Sequence, residues 1–318
     1  MKKTSLYPIL ILLLVASLTL SCGESAPAGS AAPERNSVQE ASIIPAKRSA
    51  LKSLTPEFKE YWYSGVAELN SYELDQARYG EIRKGEAVLI FVTEPFNTEK
   101  QVKADRKNSG TTSVMKLNRV RKFLTGVYPY SIMSSIFYPV SGNAHALKIT
   151  TSVQEWCGHV FAQLNNRERF EIQSHSYFES EADQAFRIDK NVLEDELWTM
   201  IRTHPETLPE GSLSMVPSLE YLRLKHREIK AYSAEVILTR EAGLRQLTVR
   251  YPELDRTLSI EFQDVFPYRI EGWTETYLSG RGAITSTARL NKSLLSPYWQ
   301  KNGNSDISLR DSLGLQMR

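Results

Sequence analysis

The chain has 318 residues, 41% hydrophobic and 24% charged, the composition of an ordinary globular protein with length for one large domain or two small ones. Its 39 basic and 37 acidic residues leave it nearly neutral, which excludes a partner held through a phosphate backbone, so no nucleic acid is expected. With only two cysteines, Cys22 and Cys157, a disulfide scaffold is excluded and burial must hold the fold together.

Residues 1–21 have the marks of a secretory signal: Lys2 and Lys3, an apolar run over 6–20 too short to span comfortably, and the small residue Ser21. Cys22 follows directly, as in a bacterial lipobox, although Thr19 stands where an aliphatic residue is usual and Leu18 and Leu20 flank it. The expectation is cleavage before Cys22 and acylation of its new N-terminus, with Gly23 consistent with transfer to the outer membrane. Acyl chains at about 0.8 kcal/mol per buried methylene would hold the protein on the periplasmic side of a bilayer without a spanning helix. Removing 1–21 takes away two lysines and no acid, so 37 basic residues then balance 37 acidic ones. Acylated Cys22 cannot pair, which leaves Cys157 a single thiol. Residues 22–55, rich in Ala, Ser, Pro and Glu, read as a flexible tether with a root-mean-square reach of roughly 30 Å.

From residue 56 to 279 short alternating segments between turn residues predict a mainly β fold, a large curved antiparallel sheet or half-barrel with one helix between two β-rich parts, 57–188 and 214–279. One hairpin is expected around a turn at 80–85. A second is expected around Asn165-Asn166-Arg167, because Asn tolerates the left-handed backbone of a tight reversal. The helix is expected over 191–203, capped by Asp189 or Asn191, with Val192, Leu193, Leu197, Met200 and Ile201 as its apolar stripe and Pro205 ending it. Beyond it, Tyr232, Ala234, Val236 and Leu238, then Leu247, Val249 and Tyr251, then Leu258, Ile260 and Phe262 alternate with mostly polar residues, a meander with one face in the core. Residues 280–318 thin out in apolar content and read as a loosely packed tail on which Tyr298 and Trp299 dock.

Signatures of known chemistry are sparse. There is no Cys-x-x-Cys, His-Glu-x-x-His, Gly-x-Ser-x-Gly or dinucleotide fingerprint, and no cofactor or metal is expected. The glycine spacing at 80–85 has Glu86 where a phosphate loop needs lysine. The best local cluster is Glu155-Trp156-Cys157-Gly158-His159, whose alternate residues Glu155, Cys157 and His159 share a strand face that His175 approaches from the hairpin partner. A thiolate beside imidazole serves as nucleophile or zinc ligand, but the same residues also suit a partly buried strand with a small apolar cysteine. The basic run Lys100, Lys103, Arg106, Lys107, Lys116, Arg119, Arg121 and Lys122 could meet anionic headgroups or glycans and reads more simply as a solvated edge. Aromatic groups at Tyr61-Trp62-Tyr63, Tyr128-Pro129-Tyr130, Phe137-Tyr138 and Phe266-Pro267-Tyr268 either line a lipid or glycan cavity or close the ends of a β core.

The runs Tyr61-Trp62-Tyr63-Ser64-Gly65, Ala77-Arg78-Tyr79-Gly80-Glu81, Phe91-Val92-Thr93-Glu94-Pro95-Phe96, Tyr128-Pro129-Tyr130-Ser131-Ile132-Met133, Val153-Gln154-Glu155-Trp156-Cys157-Gly158-His159 and Ser174-His175-Ser176-Tyr177-Phe178 resemble a family of uncharacterised Bacteroidetes-type lipoproteins. The resemblance covers about 57–279 and implies no established activity. Members often carry the label "septum formation inhibitor Maf". Genuine Maf proteins are cytoplasmic nucleotide pyrophosphatases of α/β fold with an N-terminal Ser-x-Ser-x-Arg-Arg motif, and this chain has a signal in that place and no such motif elsewhere. The stretch Gly80-Glu81-Ile82-Arg83-Lys84-Gly85-Glu86-Ala87 followed by long hairpins is also similar in texture to envelope proteins built on a curved half-barrel, lipoprotein carriers among them.

The expected role is a non-enzymatic, membrane-tethered module of the cell envelope that binds a lipid, a glycan, another apolar or amphipathic ligand, or an envelope protein. The alternatives are an envelope hydrolase or metal enzyme using Cys157, His159 and His175, and the nucleotide pyrophosphatase of the label.

Overall fold

The structure, a computed structural model, describes residues 54–141, 145–280 and 282–316, all within a compact unit spanning 44–318. The signal, Cys22 and nearly all of the tether lie outside the described residues.

Alternation of apolar and polar residues builds one long sheet. Helix α1 (Pro56–Trp62) opens it, capped by Thr55, whose hydroxyl accepts the Phe58 N–H at 3.1 Å. There follow β1 (Ala67–Arg78), β2 (Glu81–Asn97), the two-residue β3 (Val102–Lys103), β4 (Thr111–Thr125), β5 (Tyr128–Pro139), β6 (Lys148–Glu155), β7 (Gly158–Asn166), β8 (Phe170–Ser176) and β9 (Asp183–Ile188). The chain then crosses through β10 (Val192–Leu193), α2 (Glu194–Thr203), β11 (Gly211–Val216) and α3 (Leu219–Leu224). A second meander, β12 (Tyr232–Glu241), β13 (Leu244–Tyr251), β14 (Arg256–Gln263), β15 (Ile270–Ser279) and β16 (Gly282–Ser296), precedes the short α4 (Leu309–Ser312). The strand order runs β10, β11 to β16, then β1, β2, β4 and on to β9, with β3 on the side of β2. Every ladder is antiparallel except that of β10 and β11. The sheet is curved and does not close, since its outermost strands β10 and β9 are not paired with each other.

The predicted mainly β class is therefore observed, and the two β-rich parts are one sheet. What joins them is the segment read as a loose tail. Strand β16 pairs with β15 from Gly272↔Arg289 to Ser279↔Gly282 and with β1 from Ala67↔Ser296 to Asp75↔Thr287. Few of its residues are large and apolar because only one of its faces is covered over most of its length, and backbone pairing holds it instead, its first part on β15 and its last part on β1.

The turns also differ in detail. The first hairpin reverses at Tyr79 and Gly80, both at positive φ as a type I′ turn requires, and Gly85 lies inside β2. A Cβ on Gly85 would come within 2.4 Å of the Lys122 carbonyl oxygen on β4, so its lack of a side chain serves a close backbone approach. Asn165 and Asn166 are strand residues opposite Glu171 and Phe170, and the reversal falls on residues 167–169. In the second meander the alternation reads correctly: Val236↔Val249, Leu247↔Ile260 and Val249↔Leu258 are cross-strand partners in the core, and Ala242 and Gly243 form another positive-φ turn.

Helix α2 starts three residues later than expected. Val192 and Leu193 extend into a parallel bridge with Met215 and Val216, and the Glu196 carboxylate, rather than Asp189 or Asn191, accepts the Leu193 N–H at 3.2 Å. The apolar stripe Leu197, Met200 and Ile201 packs into the core, with α2 lying against β4 and β5. Its polar side is buried too, so that Glu194, Asp195, Glu196 and Arg202 are all enclosed. A surface helix leaves such residues in water; this one presents them to strands that carry arginines.

Candidate ligand-binding pocket and the charged interior

The face of the sheet that receives α2 is packed and ionic. Arg256 of β14 makes a two-pronged contact with Glu194 of α2, its Nη2 at 2.7 Å from Oε1, while its Nε donates to Glu275 of β15 at 2.7 Å. Arg119 of β4 donates from Nη2 to Asp195 at 3.0 Å and to the Ser218 hydroxyl at 2.9 Å, and Arg121 pairs with Glu220 at 3.1 Å. Arg202 of α2 reaches the other way, to both oxygens of Glu68 on β1 at 2.6 and 2.7 Å. Burial alone would raise the Glu275 carboxyl, but Arg256 and Arg121 more than offset it and hold the group below the usual carboxylate range. Burial lowers Lys225, at the margin of this cluster, to about 8. The cavity among these groups is about 20 Å³, room for a water and nothing larger. Ion pairs and tryptophans fill the concavity: Trp198 meets Trp273 edge-to-face at 5.2 Å and stacks under Arg119 at 4.9 Å.

This corrects the solvated-edge reading of the basic run. Strand period 2 divides it: Arg119 and Arg121 of β4 point inward and are 1% and 5% exposed, whereas Val120 and Lys122 point outward. Lys116, also outward, pairs with Glu94 at 2.9 Å, and Lys100, Lys103, Arg106 and Lys107 are exposed. The aromatic groups at segment ends close the core rather than line a cavity. Tyr61 packs edge-on to Trp62 and Phe266, at 4.9 and 5.6 Å, and Tyr130 stacks on Phe123 at 4.9 Å.

Cys157 is exposed in the β6–β7 turn, where the Glu155 carboxylate accepts its backbone N–H at 2.7 Å. The same carboxylate pushes the thiol up from its ordinary value, away from a reactive thiolate. His159 is exposed on β7, and His175 is level with Phe161 on β8, with its ring 3.2 Å from Asp183. At strand rise that level lies roughly 10 Å from the turn carrying Cys157. The thiol and the two imidazoles are not gathered in either pocket described in this section, and among the described residues no group of three or more His, Cys, Asp or Glu side chains has metal-holding geometry. Glu155→Gln is expected to speed alkylation of Cys157 by iodoacetamide at pH 8 severalfold, because loss of the carboxylate charge lowers the thiol pKa. An unchanged rate would show that Glu155 does not act on the thiol.

The opposite face of the same strands carries an apolar pocket of about 280 Å³. Its floor is Leu69 of β1, Val88 and Ile90 of β2, Val120 of β4 and Leu294 of β16. The segment after β16 covers it with Tyr298, Leu309, Leu313 and Leu315, and the Leu313 carbonyl accepts the Ser71 hydroxyl. Leu313 is buried with Ala67, Leu69 and Val92 in a small second core, apart from the main one. Glu86, Lys122, Lys301, Asp306 and Arg310 bring charge to the lining. Sequence reasoning noted Glu86, Lys122 and Tyr298, each for another reason, and did not single out the apolar floor or bring these residues together. The available signal is Ala87-Val88-Leu89-Ile90-Phe91-Val92, six apolar residues in succession, which in a strand means that both faces are covered.

No family model matches the chain, and no curated relative matches it. Among solved structures it is similar to the crystal structure of a β-barrel-like protein of domain of unknown function DUF1849 from Brucella abortus, at 7% identity and a TM-score of 0.45, covering 72% of this chain and 98% of that one.

Proposed function

We propose that this protein is a membrane-tethered cell-envelope lipoprotein whose sheet is a non-enzymatic binding module for an apolar or amphipathic ligand, held in the pocket between the outer face of β1, β2, β4 and β16 and the C-terminal segment. The observation that carries this reading is the 280 Å³ pocket with a hydrocarbon floor, close to the lower end of the sizes used for small-molecule sites. The filled concave face moves the site from where a half-barrel carrier would hold its cargo. The Cys22 signal and the likeness to envelope lipoproteins support the tether, and acyl anchoring needs no spanning helix; among the described residues no helix is long and apolar enough to cross a membrane.

The test is extraction of the chain purified from membranes, with mass spectrometry of what leaves it. The expected result is an acylated Cys22 and a co-purifying amphiphile at near one per chain, depleted in a Val88→Trp variant whose indole fills the pocket. A chain with no bound amphiphile in either form would leave the pocket without a ligand and sink the binding reading.

A further inference from the structure

We infer that the pocket takes a single-chain amphiphile with an anionic headgroup, its tail on the apolar floor and its headgroup between Lys122 and Lys301; this rests on the binding reading above and names the ligand class. Size sets the number of chains. A cavity of about 150 Å³ encloses benzene, roughly 25 Å³ per carbon, so 280 Å³ accommodates about eleven carbons of one alkyl chain and not the paired tails of a diacyl lipid.

The floor selects hydrocarbon over peptide. Leu69, Val88, Ile90, Val120 and Leu294 offer no side-chain donor or acceptor, and all but Leu294, which is paired with β1 alone, sit on strands paired on both sides at that level. A peptide laid there would bury amides without partners, at a cost that a methylene chain does not meet.

Charge selects the headgroup. Of the charged residues lining the pocket, Arg310 is 3.9 Å from Glu86, and Asp306 accepts the Gly303 N–H at 3.1 Å in its own turn. Lys122 and Lys301 are exposed and have no ion pair among the described residues. Lys122 projects outward from β4, level with Glu86 on β2, and Lys301 follows the turn after β16, so the two lysines reach the pocket lining from different elements. A carboxylate or phosphate is the complement they lack.

The test uses the exported chain carrying Cys22→Ser, so that its own acyl group does not compete, with dodecanoate and 1-dodecanol as probes below their aggregation limits. Dodecanoate is expected to bind with one-to-one saturation and at least tenfold more tightly than the alcohol. Lys122→Glu with Lys301→Glu, both on the surface, is expected to remove that tenfold preference while binding of the alcohol persists and the thermal transition stays in place. Val88→Trp is expected to abolish binding of both. Equal binding of acid and alcohol, indifferent to the lysines, would overturn the anionic headgroup and leave the binding reading standing. Binding of neither probe would overturn both, most directly if the wild-type chain dimerised and Val88→Trp made it monomeric, because the pocket would then cover a second copy.

Discussion

Arg202→Met is expected to destabilise the protein by about 3–5 kcal/mol, the range seen when one partner of a buried ion pair is removed. Arg202 is fully enclosed, grips both oxygens of Glu68, donates from Nε to the Pro267 carbonyl at 2.9 Å, and lies 4.7 and 5.1 Å from the ring centres of Phe91 and Trp62. Methionine fills much of its volume against those rings, so the loss comes chiefly from a Glu68 charge left in the core. Glu68→Gln added to Arg202→Met is expected to recover most of the deficit, because the amide oxygen still accepts from Asn70, the amide nitrogen can donate to the Tyr61 hydroxyl, and no charge is left to solvate. Urea unfolding of the two variants decides the matter. A single variant within 1 kcal/mol of wild type, as a rough bound from surface substitutions, would mean that water reaches Glu68.

The pH dependence follows from the same pair. Burial would raise the Glu68 carboxyl, but Arg202 and its hydrogen-bond partners outweigh burial and hold it below its ordinary value. Its contribution to stability is therefore complete above the unfolded carboxyl pKa of about 4.3 and is lost as pH falls through the folded value. Without Arg202, burial outweighs the hydrogen bonds that Asn70 and Tyr61 still give and raises the folded Glu68 pKa, so the gap between wild type and Arg202→Met narrows on acidification. Urea midpoints at pH 7 and pH 4 should show that convergence; parallel loss in both proteins would place the acid sensitivity elsewhere.

Ending the chain after Ser279 is expected to abolish cooperative folding, whereas ending it after Ser296 is expected to leave the sheet folded and weaken it only modestly. The first truncation removes β16, the only ladder among the described residues between the β1–β9 and β11–β15 meanders, and exposes two inner strands as edges. Each lost backbone hydrogen bond is worth about 0.5–1.5 kcal/mol net, and the lost ladders together are comparable with the roughly 5–15 kcal/mol that holds a typical domain. The second truncation keeps both ladders and removes only the cover of the outer pocket, including buried Leu313. Circular dichroism and urea melts of the two chains compare them directly. Cooperative unfolding of the chain ending at Ser279 would show that the halves hold together through α2 and its ion pairs alone.

Legibility in the sequence tracked how one-sided each strand is. Strands β12, β13 and β14 are apolar on one face and mostly polar on the other, so their period and partners are readable by inspection. In β4 the inward set includes Arg119 and Arg121 and the outward set includes Val120, so polarity no longer reports direction. The pocket was hidden for that reason. Its floor consists of apolar residues facing away from the main core, and its cover comes from a segment whose composition resembles a tail. The Cys157 cluster was conspicuous because its residue types are reactive, but reactivity needs convergence, and the hairpin register sets His175 apart from the turn.

Composition and period by themselves determined a nearly neutral, mainly antiparallel β protein with a helix near 191–203, because hydrophobic alternation is a local property of the chain. Whether two meanders become one sheet, which arginines turn inward to meet the acids of α2, and that the oily pocket lies outside an ionic interior were decided only by tertiary structure. Those outcomes depend on pairings between residues far apart in sequence, such as Glu68 with Arg202, Glu194 with Arg256 and Leu69 with Leu294, and no local pattern carries the energy of a partner that folding has yet to bring near.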